Sequence, residues 1–139
     1  MYLEVYVFNS PYVEKEQVYD EISLPAFPPR EVLVREIEMH FPNIKWLDEE
    51  TGDINNIDFQ GHLILGNPND NKIIYFRIEG GNDPLKVVVN LCANKGWTSY
   101  TPENEYFLNP TMDTAGYWQE YKIYRGFIGD VFYKKDGSK

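Results

Sequence analysis

The chain has 139 residues, of which 42% are hydrophobic and 16% aromatic; this suffices for one packed domain, excludes a disordered chain, and includes no apolar run near the roughly 20 residues of a membrane span. Its net charge of −9 is local, because residues 1–60 carry 13 acidic and 4 basic side chains and residues 61–139 carry nine of each. Such a field repels nucleic acid and anionic membranes and speeds encounter with a basic partner.

Tyr2 to Asn9 alternates, with Leu3, Val5 and Val7 on one face and Tyr2, Glu4, Tyr6 and Phe8 on the other, which is the two-residue period of a strand. Ser10-Pro11 ends it. Residues 13–22 allow a short helix, with Val18 and Ile22 one turn apart, until the prolines of SLPAFPP stop it. A longer helix is predicted from about Pro29 to His40, its core stripe marked by Leu33, Val34, Ile37 and Phe41. Residues 44–48 read as a short strand or extended arm, and the acidic, turn-rich EETGDINNID that follows is expected as an exposed loop. Residues 61–65 and 72–79 are apolar runs separated by GNPNDN, whose Gly, Pro and Asn supply turn conformations, so they are expected to pair as a hairpin. In the second run Ile74, Phe76 and Ile78 alternate with Tyr75, Arg77 and Glu79 up to Gly80-Gly81. Asn82 and Asp83 are then N-cap candidates, Pro84 suits the first helical position, and Leu85, Val88, Val89 and Cys92 recur at helical spacing. Lys95 and Gly96 close this helix, and a returning strand reaches Thr101. Residues 103–109 continue or double that strand. Beyond Pro110, the aromatics Tyr117, Trp118, Tyr121, Tyr124, Phe127, Phe132 and Tyr133 fit either a helix or a hairpin, and residues 134–139 read as a tail.

The order β-α-β-β-α-β with right-handed crossovers predicts a single α+β domain of ferredoxin-like type. It would have a four-stranded antiparallel sheet, two helices on one face, a core over residues 1–109 and an aromatic extension over 110–133. If Leu3, Val5, Val7, Ile74, Phe76 and Ile78 face the helices, then Tyr2, Tyr6, Phe8, Ile73, Tyr75 and Arg77 line the opposite face, an aromatic surface that must be covered or used. The C-terminal segment is expected to fold over it. The alternative is a partner bound on Tyr2, Tyr6, Phe8, Tyr75 and Arg77. RNA-recognition motifs share this topology and stack bases on sheet aromatics, but they need neighbouring cations, and here Arg77 has Glu4 and Glu79 beside it.

Catalytic constellations are sparse. His40 and His62 are the only histidines, one near a helix end where a cation suits the dipole and one on a strand. Cys92 reads as a small core residue, and Gly80-Gly81 lacks the spacing of a phosphate loop. Asp48, Glu50, Asp53, Asn55 and Asp58 fail as a calcium loop, because Gly52 falls one position early and the closing glutamate is missing. No pair of carboxylates can be placed across a scissile bond. A non-catalytic protein with no cofactor and no metal site is therefore expected. One cysteine cannot make an internal disulfide and the chain opens directly on MYLEVYVFN, so a cytoplasmic, reducing location is expected.

YLEVYVFNSPYVEKEQVYDEI, the helix ending in HFPNIKWLDEETG, and YFRIEGG followed by VVVNLCANKGWTSYTPENEYFL together resemble small bacterial immunity proteins encoded beside polymorphic or contact-dependent toxins. The resemblance runs from the start to about Asn109, and its landmarks are the two glycines, the helix and the Gly96-Trp97 strand entry. It implies stoichiometric inhibition, in which a protein with no chemistry of its own occludes the active site of a cognate toxin. A toxin acting on nucleic acid needs a basic cleft, and an acidic inhibitor meets it with steered association and paired charges. The contact is expected on Asp48, Glu49, Glu50, Asp53 and Asp58, with Trp46 as an aromatic anchor. The rival expectation is a ferredoxin-like regulatory module that binds a small ligand, or a second copy of itself, through the open sheet face. Monomer and homodimer both remain open at this stage.

Overall fold

The computed structural model describes residues 2–135, and the side chains of residues 2–124 apart from Glu21. In chain order its elements are β1 (Leu3–Phe8), α1 (Arg30–His40), β2 (Lys45–Trp46), β3 (Thr51–Asn55), β4 (Gln60–Ile64), β5 (Ile73–Gly80), α2 (Pro84–Lys95), β6 (Thr98–Thr101), β7 (Tyr106–Leu108) and α3 (Thr114–Lys135). The strands form one antiparallel sheet in the order β2-β3-β4-β5-β1-β6-β7.

Alternation sets the centre of that sheet. Leu3, Val5 and Val7 are fully buried on the same face as Ile74, Phe76 and Ile78, to which β1 and β5 pair them in register. The helices cover this face for local reasons. Pro29 cannot extend α1 backwards and instead offers its carbonyl to Val32 and Leu33, and the Phe41 amide closes the other end on Ile37. Asp83 caps α2 by accepting from the Lys86 amide at 3.3 Å, and Gly96 ends it at φ 69°, where a side chain is disfavoured. Leu33 and Ile37 of α1 and Leu85, Val88 and Leu91 of α2 meet the sheet in one core.

The four-stranded ferredoxin-like arrangement is corrected to seven strands and three α-helices among the described residues. Part of the difference lies in residues 49–58, expected as a loop, where Thr51–Asn55 forms β3 and pairs with both β2 and β4. TGDIN has little intrinsic strand preference, and packing decides it. A Cβ on Gly52 would stand 2.5 Å from Ile44 Cδ1 and 3.1 Å from Trp46, so glycine is what lets those side chains close over the strand.

The C-terminal segment is also corrected. It forms α3, which packs beside α2 on the helical face instead of covering the opposite one. Trp118 and Tyr121 enter the main core, with the indole Nε1 donating to the Gly81 carbonyl at 3.0 Å and the Tyr121 hydroxyl donating to the Tyr2 carbonyl at 2.9 Å. Thr114 Oγ1 donates to Asp83 Oδ2 at 3.0 Å, which ties the start of α3 to the cap of α2. The side chains of Phe127, Phe132 and Tyr133 lie outside the described residues. The expected tail at 134–139 begins inside α3, which runs to Lys135, and residues 136–139 lie outside the described range.

The opposite face is covered at one end by the segment after β1. The short helix expected at 13–22 is instead two 3-10 turns, Lys15–Gln17 and Glu21–Ser23. Val13, Val18 and Leu24 from this segment bury Phe8 and Tyr100 in a second, smaller core, against which Tyr6, Ile73 and Phe107 pack.

Candidate functional site

The β2–β3 turn is built by Asp48, whose Oδ1 accepts from the amides of Glu50 and Thr51, both at 2.8 Å. This self-bonding is why aspartate favours such turns. Two neighbours fix the turn from outside. The Leu65 amide donates to the Glu50 carbonyl at 2.7 Å, and Arg30, the first residue of α1, donates from Nη1 to the Glu49 carbonyl at 2.9 Å and from Nη2 to the Gly66 carbonyl at 2.8 Å. The guanidinium thus clamps two loops across the N-terminus of α1. Trp46 lies half-buried against the core, and its Nε1 donates to Glu38 Oε2 at 3.1 Å.

These residues enclose a recess of about 310 Å³ lined by Arg30, Val34, Trp46, Asp48, Glu49 and Pro68. Its floor is apolar and its rim is acidic. The Arg30 fork is turned inward on carbonyl oxygens, whereas Asp48 and Glu49 are exposed, with Glu50 and Glu38 exposed beside them. The arrangement suits an inserted side chain with an apolar stem and a cationic head.

Of the six residues expected to contact a partner, Trp46, Asp48, Glu49 and Glu50 therefore come together. Asp53 and Asp58 do not. Asp53 lies on β3 with its side chain on the opposite face of the sheet, where its Oδ1 is 3.3 Å from His62 Nε2, and Asp58 lies beyond the far end of β3, in the turn to β4. Arg30, Val34 and Pro68 escaped the sequence reading. A cation in the first turn of a helix opposes the dipole, and that mismatch is the signal that could have singled out Arg30.

On the opposite face, register lines up a row of charges across five strands. Glu4 stands opposite Arg77, Arg77 opposite His62, His62 opposite Asp53 and Asp53 opposite Lys45. The Arg77 guanidinium sits over the Tyr2 ring, 4.6 Å from its centroid. Tyr2, Tyr75 and Arg77 thus share this face with Tyr6, which packs against the second core at the edge of the covered part. Phe8 does not join them, because it is fully buried under residues 13–24.

Cys92 is buried on the core face of α2, and burial pushes its thiol up to about 12 despite a hydrogen bond from Ser99. At neutral pH it is therefore held as the thiol. His40, at the end of α1, is shifted down by burial, while His62 lies on β4. Among the described residues no three His, Cys, Asp or Glu side chains converge on a metal-sized site. No helix among them is long and apolar enough to cross a membrane. No protein family, no curated protein and no solved structure matches this chain.

Proposed function

We propose that this chain is a non-catalytic acidic binding protein that docks a basic protein partner on the β2 edge of its sheet, and that the partner is a bacterial toxin whose active site it occludes. The observation that carries the reading is the recess at that edge, where an indole and an aliphatic floor lie beneath the exposed carboxylates of Asp48 and Glu49. Hot spots pair an aromatic anchor with a desolvated pocket, and surrounding charges set the association rate. On the outer side of α1, Glu31 and Glu38 are exposed on the same stripe as Arg35, so the acidic character is concentrated in the turn itself. A lysine or arginine of the partner would lay its stem on Trp46 and Pro68 and present its head to Asp48 and Glu49.

The test is capture from the lysate of the source cells followed by expression of the captured protein. The proposal predicts one basic protein, released as salt rises, that stops growth when expressed alone and not when co-expressed with this chain. Growth arrest that co-expression leaves unchanged would overturn the toxin assignment. The rival reading, a small-ligand module on the open sheet face, is favoured by a separate cleft between Tyr6 and Tyr75.

A further inference from the structure

On the face away from the helices, a cleft of about 420 Å³ opens between β1, β5, the 3-10 segment after β1 and the β4–β5 loop. Its volume falls in the range of small-molecule sites. Three of its walls are tyrosines. Tyr6 and Tyr75 stand directly opposite each other across β1 and β5, with ring centroids 6.2 Å apart and planes inclined at 63°, so they form a corner instead of a stack. Tyr19 supplies the third wall from the 3-10 segment. It is exposed, but its neighbour Val18 is buried in the second core, and this anchors the wall on which Tyr19 is carried. Ile73 contributes an apolar side.

The charge of the lining has one sign. Glu4 and Asp70 both line the cleft and no basic residue does. Among the described residues neither carboxylate has an ion-pair partner within 4.0 Å. Arg77, opposite Glu4 across the strands, sits over the Tyr2 ring, and Lys72, next to the lining residue Ile73, donates to the Ile22 carbonyl at 3.4 Å. The Tyr6 phenol is shifted up by burial first, then by Glu4, Tyr19 and Tyr75, so it stays neutral. An anion is repelled here. A bare metal ion would find only Glu4 and Asp70, and among the described residues no three His, Cys, Asp or Glu side chains converge to hold one. An alkylated ammonium fits both features, since tyrosine rings attract a weakly hydrated cation and carboxylates complete the neutralisation.

We propose that this cleft binds an organic ammonium ion, its alkylated head seated among Tyr6, Tyr19 and Tyr75 and its charge answered by Glu4 and Asp70. The site lies across the sheet from the acidic recess and does not depend on the toxin reading. A quaternary head reaches the cleft either as a free solute or on a trimethylated lysine, and one chemistry serves both.

The test is titration of the full chain with choline, with a short peptide carrying trimethyl-lysine, and with 3,3-dimethylbutan-1-ol, the uncharged carbon analogue of choline, each followed by amide chemical shifts. Saturable shifts at Tyr6, Tyr19 and Tyr75 with choline or the peptide are expected, the tighter of the two naming the source. The uncharged analogue should bind at least about tenfold more weakly, and Tyr75→Leu should weaken the ammonium by about as much. Glu4→Gln, which leaves the strand pairing intact, should weaken it severalfold and keeps the test open if the Tyr75 variant fails to fold. Absence of saturable shifts, equal binding of the uncharged analogue, or unchanged affinity in Glu4→Gln would overturn the proposal.

Discussion

Arg30 occupies a helix start, where its charge is unfavourable, and is held there by two carbonyl oxygens from separate loops. Lysine cannot make that fork with both arms in fixed geometry. Arg30→Lys is therefore expected to cost about 1–2 kcal/mol, read as a lower urea midpoint, and to loosen the acidic turn; an unchanged midpoint would show the clamp to be incidental. Cys92 gives a pH prediction. Its folded thiol lies at about 12, above the ordinary value of 9.0, because burial penalises the thiolate. The neutral thiol is favoured in the fold, so this contribution to stability is full below pH 9 and is lost as pH rises towards 12, at up to about 1.4 kcal/mol per pH unit. Tyr6, Tyr100 and Tyr117 are raised as well, each by burial first, and add to the loss above pH 10. Urea titrations from pH 8 to 11 should show falling stability with a shallower slope in Cys92→Ala; equal slopes would contradict the account.

At the scale of elements, α3 is held by one buried indole and a few directed hydrogen bonds. Trp118→Ala removes the largest fully buried side chain and the bond to Gly81, and is expected to cost about 3–5 kcal/mol in chemical denaturation, whereas Tyr121→Phe loses one hydrogen bond, about 1 kcal/mol. Comparable costs for the two would mean that packing does not anchor the helix. The sequence is legible wherever one rule acts alone. Alternation marks β1 and β5, the caps mark α2, and the β4–β5 hairpin follows from its turn residues. It is illegible where rules compete. TGDIN carries a glycine and an aspartate that read as turn, and only the cover of Ile44 and Trp46 makes it a strand. The aromatics of α3 favour strands intrinsically, and their helical spacing does not by itself exclude a hairpin. The same competition split the candidate site. Trp46, Asp48, Glu49 and Glu50 stayed together at a turn, while the two-residue period of β3 carried Asp53 to the other face and the strand's length carried Asp58 away.

Across the whole molecule, two faces of the sheet do different work. The helical face is closed by α1, α2 and α3, and the other face is closed at one end by residues 13–24 and open at the other. Both edges are short, two residues in β2 and three in β7, which leaves few unpaired backbone groups for strand addition by a second copy. Of the acidic surplus of nine in the first 60 residues, Asp48, Glu49 and Glu50 carry three at the β2–β3 turn, beside the apolar recess of the β2 edge. The most direct measurement is the dissociation constant of the captured partner at about 50 and 500 mM salt, for the natural chain and for the Glu49→Lys, Glu50→Lys double variant, which spares the turn-building Asp48. The account predicts weakening of tenfold or more both on raising the salt and on reversing the charges. An affinity indifferent to both would contradict it.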